Sequence, residues 1–156
     1  MTLEREPMKP RKIFQDKSTR RDIEAFLIGG SFAAVGVYHF IDQDFFEAIV
    51  PRWFPNPTFA NLASGAAEII LGLALIPKKS RRQAAWGLLI LLVAVYPANI
   101  DMFINDVGFE TNEFGKTIRV EDAPDVRLRN FIRLPFQFLF AWVIWRHTKK
   151  NSNLSN

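Results

Sequence analysis

Four long apolar runs, separated by short charged connectors, set the pattern of this chain. The first, Ala25–Ile41 (AFLIGGSFAAVGVYHFI), spans about 25 Å at the helical rise of ~1.5 Å per residue, enough to cross a bilayer with snorkelling flanks. The second is Phe59–Ile76, within FANLASGAAEIILGLALIP. The third is Ala84–Ile104 (AAWGLLILLVAVYPANIDMFI), and the fourth is about Asn130–Trp145 (NFIRLPFQFLFAWVIW). The fourth is the weakest because Arg133 lies inside it. The pattern predicts an all-α, integral membrane four-helix bundle.

Between the runs, Asp44–Pro57 mixes aromatic and aliphatic residues with prolines and few charges, the composition of a short amphipathic piece lying along an interface. Val107–Arg129 is longer and acidic. It reads as a solvated external loop with a short hairpin around Phe114-Gly115-Lys116. The division that follows is a basic tail at residues 1–24, a four-helix domain at 25–147 and a C-terminal tail at 148–156.

Charge then gives direction. Fourteen Lys and Arg fall before the first run, in the Lys78-Lys79-Ser80-Arg81-Arg82 connector and after the fourth run, against five in the other two connectors. The positive-inside rule places both termini in the cytoplasm. Trp53, Trp86 and Trp145 fall near the predicted interfaces. Ser18-Thr19-Arg20-Arg21 before an apolar run has the look of a twin-arginine export signal, but no small-residue cleavage pattern ends that run and three more follow.

Composition changes this picture little. The chain has 156 residues, 49% hydrophobic, with no cysteine, so disulfides and thiol chemistry of its own are excluded. The net charge of +4 comes from residues flanking apolar runs and carries no nucleic-acid motif.

Candidate chemistry lies in the polar residues set among the apolar ones. Glu68 is alone in its run as a charge, and a carboxylate at that depth costs roughly 2.5–3.5 kcal/mol unless it faces protein or water. His39, Asn99, Arg133 and Gln137 also fall within or at the ends of runs, and topology places all five in the middle or outer half. Arg133 and Gln137 share one helical stripe; Ser64, Glu68 and Gly72 share another. Gly29, Ala33 and Gly36 give the first helix a small-residue face. Pro97 and Pro135 each remove a backbone donor near this level. The expectation is a polar pocket opening outward with Glu68 facing Arg133. Interhelical glue is the alternative. Haem is disfavoured, because His39 and His147 are the only histidines and belong to opposite faces. A metal site would need His39, Glu68 and Asp101 to converge; none is assigned.

The strings GVYHF (Gly36–Phe40), IVPRWFPNP (Ile49–Pro57), SGAAEIILG (Ser64–Gly72), AAWGLLILLVAVYPANI (Ala84–Ile100) and RLPFQ (Arg133–Gln137) resemble the DoxX family of small bacterial membrane proteins. The resemblance covers Gly29 to Trp145 in the family's order. It implies a four-helix bundle in the bacterial inner membrane, with polar residues at the positions of His39, Glu68, Asn99, Arg133 and Gln137. It also implies a link to quinone-dependent redox complexes and a protein partner within one. Three functions remain open: a redox subunit with a quinone in the pocket, a small-molecule or lipid-binding permease, and a non-catalytic scaffold. No catalytic residue is assigned.

Overall fold

A computed structural model describes residues 17–149. The basic residues Arg5, Lys9, Arg11, Lys12 and Lys150, and with them most of both predicted tails, lie outside the described residues. In chain order the elements are α1 (Lys17–Ile41), α2 (Gln43–Ile49), α3 (Pro57–Leu75), α4 (Arg81–Ile104), β1 (Gly108–Thr111), β2 (Thr117–Val120) and α5 (Arg127–Trp145), closed by a 3₁₀ turn at Arg146–Thr148. The described residues are mostly helical, as expected, and a two-stranded hairpin stands around Phe114-Gly115-Lys116, where a short one was expected. Each long helix begins before its apolar run: α1 at Lys17 rather than Ala25, α4 at Arg81 rather than Ala84, α5 at Arg127 rather than Asn130. Hydropathy marks where a side chain tolerates lipid, whereas the helix ends where its backbone hydrogen bonds end.

Among the described residues three helices are long and apolar enough to cross a membrane: α1 from Ser18, α3 and α4. α1 and α4 are about 38 and 36 Å long, against roughly 30 Å of bilayer hydrocarbon. In α5 the first two turns carry Arg127, Arg129 and Arg133.

Lateral packing runs α1 on α3, α3 on α4 and α4 on α5. The α1–α3 contact is the closest. The two helices run antiparallel through reciprocal glycines, Gly29 against the Gly72 carbonyl and Gly36 against the Gly65 carbonyl. Without Cβ atoms the backbones meet directly, the packing used where apolar burial from water cannot drive association.

Ala25, Leu75, Ala84, Ala85, Leu88 and Ile144 form the buried cluster, where α1 and α4 begin and α3 and α5 end. Elsewhere large apolar side chains face outward, with Val93 at 74%, Ile90 at 67% and Phe26 at 61% exposure. In water each would forgo about 1.5–3 kcal/mol of burial, and so many together suit contact with a lipid bilayer.

At this basic end the Arg81 side chain is buried. It donates to the carbonyls of Leu75 (3.1 Å) and Ile76 (2.6 Å), satisfying the open end of α3, and to Asp22 Oδ1 at 2.8 Å. Lys78 reaches the same carboxylate at 2.9 Å. His147 is buried beside them, with Nε2 3.6 Å from Glu24 Oε2. Burial first, then the Arg21, Arg81 and Arg146 guanidiniums, hold its imidazole below the usual histidine range; Glu24 opposes them. The unfolded chain therefore takes up this proton more readily. Stability is unaffected by this group above the ordinary value of about 6.5 and falls as pH drops below it toward the lowered value. We expect Tm in detergent to decline as pH falls below about 6.5, and His147→Phe to flatten that decline; an unchanged slope in the variant would assign it elsewhere.

The hairpin closes the opposite end. Asn112 caps its turn, its Oδ1 accepting from the amides of Phe114 (3.0 Å) and Lys116 (2.9 Å), and Gly115 takes φ 76°. The segment is not a free solvated loop. Phe109 packs on Phe45 of α2 at 5.0 Å between centroids, and Arg119 donates to Asp101 Oδ2 of α4 at 2.6 Å and to the Val50 carbonyl at 3.4 Å. The Arg119 and Asp101 side chains are largely buried together, and Glu121 Oε1 lies 3.1 Å from the same guanidinium, so each charge has an opposite one beside it. Asn130 of α5 ties on as well, donating to the carbonyls of Met102 (2.9 Å) and Val107 (3.0 Å).

Candidate functional site

Asn56 and Pro57 start α3: the Asn56 Oδ1 accepts from the Phe59 amide at 2.9 Å and proline occupies the first turn, where its missing N–H costs nothing. Asn61, Gly65, Glu68 and Gly72 then recur at three- and four-residue spacing on the face turned to α1. On α1 the matching position near the far end is His39. A Cβ on Gly65 would lie 2.6 Å from the His39 Cβ, so glycine is what admits the imidazole to this seam.

His39 is 8% exposed and Asn61 1%. Asn61 Nδ2 donates to the His39 carbonyl at 3.2 Å, and His39 Nδ1 and Asn61 Oδ1 are 2.7 Å apart. A backbone carbonyl can only accept, which fixes the amide nitrogen on that side and Oδ1 on the imidazole side. Nδ1 must therefore carry a hydrogen and donate it. Nε2 is left as the nitrogen that gains or loses a proton. It faces Glu68 Oε2 at 3.6 Å, and that oxygen is buried without a hydrogen-bond partner.

The pair accommodates one proton between a lone pair on nitrogen and one on oxygen. With it, the two side chains are neutral together, as two neutral groups or as an ion pair, which suits an apolar seam. The Phe46 ring stacks on the imidazole, with centroids 3.6 Å apart and planes 24° from parallel. The turn that brings it there is Asp42, whose Oδ1 accepts from the Phe45 amide at 3.3 Å and starts α2. Ser64 stays on its own helix, its hydroxyl donating to the Asn61 carbonyl at 3.0 Å.

The other predicted residues form separate groups. Asn99 Nδ2 donates to Gln137 Oε1 at 2.6 Å, and Gln137 Nε2 donates to the Leu92 carbonyl, in the stretch of α4 before Pro97. That arrangement joins α4 to α5. Arg133 does not face Glu68: its Nη1 donates to Met102 Sδ at 3.2 Å, and among the described residues no carboxylate lies within ion-pair distance of it. Asp101 is held by Arg119 and does not converge with His39 and Glu68. The expected single pocket is thus two polar sites, one between α1 and α3 and one between α4 and α5, because α5 packs against α4 and makes little contact with α3. His147 lies by Glu24 while His39 ends the same helix, fifteen positions and about 22 Å further on.

Sequence reasoning overlooked Asn61 and Phe46. Asn61 was legible, being seven residues before Glu68 and four before Gly65, hence on their stripe. Phe46 had no signal, since only the α1–α2 turn brings it over His39.

No curated protein and no solved structure matches the chain. One family model matches, described as "Domain of unknown function (DUF8561)", over residues 28–148. That range runs from the glycine face of α1 through the hairpin to the buried 3₁₀ turn, and takes in every residue of both polar sites. The chain belongs to the DUF8561 family.

Proposed function

We propose that this protein is a DoxX-like four-helix bundle of the bacterial inner membrane, with both termini cytoplasmic, and serves as a small membrane subunit of a redox assembly. Its His39–Glu68 pair exchanges one proton with a carbonyl-bearing ligand such as a quinone head. The partner protein provides one electron for each proton so transferred. Support for α5 as the fourth span comes from its outward Phe138, Leu139 and Trp142. Lys78, Lys79, Arg81, Arg82, Arg146 and Lys149 gather at one end of the molecule, in keeping with the orientation.

The observation behind the proton role is the Nε2–Oε2 gap of 3.6 Å between a locked imidazole and a partnerless buried oxygen. A group that moves protons needs a partner whose protonation state can change, and an imidazole held by Nδ1 supplies it. Gln137 is engaged by Asn99 and Leu92, so the ligand contact belongs to His39 and Glu68.

Glu68→Gln preserves shape and removes the exchangeable carboxyl proton. We expect quinone analogues to raise Tm of the wild type and not of this variant, with an infrared carboxyl band lost in the variant. If several quinones at saturating concentration leave the wild-type Tm unchanged, the redox reading fails. A non-catalytic scaffold then stands in its place, the reading favoured by the Asn99–Gln137–Leu92 tie, which holds α4 and α5 together.

A further inference from the structure

One face of α5 is open. A furrow of about 570 Å³ runs along it, lined by Asp125, Leu128, Arg129, Ile132, Arg133 and Phe136. Arg129 and Arg133 are one turn apart, so their guanidiniums share that face near the start of the helix. Arg129 reaches, among the described residues, the Val107 carbonyl at 3.4 Å and the Phe109 ring, and Arg133 the Met102 sulfur. Among the described residues neither has a carboxylate within ion-pair distance, Asp125 included. A half-buried guanidinium offers five N–H donors, and a thioether is a weak acceptor for one of them.

Beside the arginines, one residue off at each turn, Leu128, Ile132 and Phe136 form a parallel outward-facing apolar stripe. A pair of cationic forks alongside an apolar stripe that runs on to Phe136 matches a molecule with an anionic head and a hydrocarbon tail. Two guanidiniums against one carboxylate leave a single net positive charge, the complement of one phosphodiester.

We propose that this furrow is a binding site for an anionic phospholipid, its phosphate bridging Arg129 and Arg133 and an acyl chain lying along Ile132 and Phe136. The inference rests on α5 lying in the membrane. It is independent of any proton chemistry at His39 and Glu68.

The test uses the full chain in mild detergent, with phosphatidylglycerol and phosphatidylcholine added separately and read by native mass spectrometry. Wild type should bind phosphatidylglycerol in preference, and R129Q/R133Q should lose about tenfold or more of that binding, the effect of one charge-assisted hydrogen bond. A photoactivatable phosphatidylglycerol should label the peptide spanning Leu128–Phe136 in wild type, a readout that does not depend on the variant folding. Equal binding of the two lipids, labelling elsewhere, or complete competition by inorganic phosphate would overturn the proposal. Carbonate washing of membranes checks the membrane reading separately: release of the wild type would overturn both.

Discussion

Gly36→Val and Gly72→Val are each expected to separate α1 from α3 and cost about 3 kcal/mol or more, the upper part of the range for overpacking. A Cβ on Gly36 would lie 2.6 Å from the Gly65 carbonyl oxygen and 2.9 Å from the Ile69 amide nitrogen. One on Gly72 would lie 2.6 Å from the Gly29 carbonyl oxygen and 2.9 Å from the Ala33 amide nitrogen. These are backbone atoms, which no rotamer change can move aside. Valine adds two more methyl groups to the collision. Gly30 is the control: a Cβ there meets nothing within 4 Å. Gly30→Ala should be neutral or stabilise by roughly 0.5–1 kcal/mol through helix propensity. Thermal unfolding in detergent reads all three. Valine variants within a degree or two of wild type would mean that this seam does not hold the molecule together.

Asn61→Leu should be the next most damaging change. It keeps the side-chain volume and deletes both hydrogen bonds to His39, leaving a buried imidazole N–H and a carbonyl without partners in an apolar seam. The expected loss is about 2–3 kcal/mol, the cost of stranding buried polar groups. The same change frees the imidazole to exchange tautomers. Nitrogen NMR of His39 should show hydrogen on Nδ1 in wild type and a mixture in the variant. Combining Asn61→Leu with His39→Phe should cost less than the sum of the two, because removing one member strands the other only once. Strict additivity would show that the two side chains do not cooperate, and the tautomer argument would fall with it.

Helix positions could be read directly from the chain because apolar runs of this length have few alternatives. The hairpin at Phe114-Gly115-Lys116 was equally local, since glycine at the turn and a capping asparagine are short-range signals. Partnership was not local. Glu68 and Arg133 lie at compatible depths, and opposite charge made them a plausible pair. Depth follows from the position of a residue within its own helix, whereas contact depends on which helices are neighbours and how each is rotated.

The apolar and polar pattern alone determined the long helices, the charge bias between their ends and the polar residues that had to be sheltered from lipid. Each of these depends on a residue and its near neighbours in the chain. Only the tertiary structure decided that His39 faces Glu68, that Asn61 locks the imidazole under Phe46, and that Arg129 and Arg133 are left open on α5. The first two follow from the glycine seam, the third from α5 packing chiefly on α4. Bare backbone lets α1 and α3 approach closely enough to bring side chains distant in sequence within hydrogen-bonding reach, and no count along a single helix contains that distance.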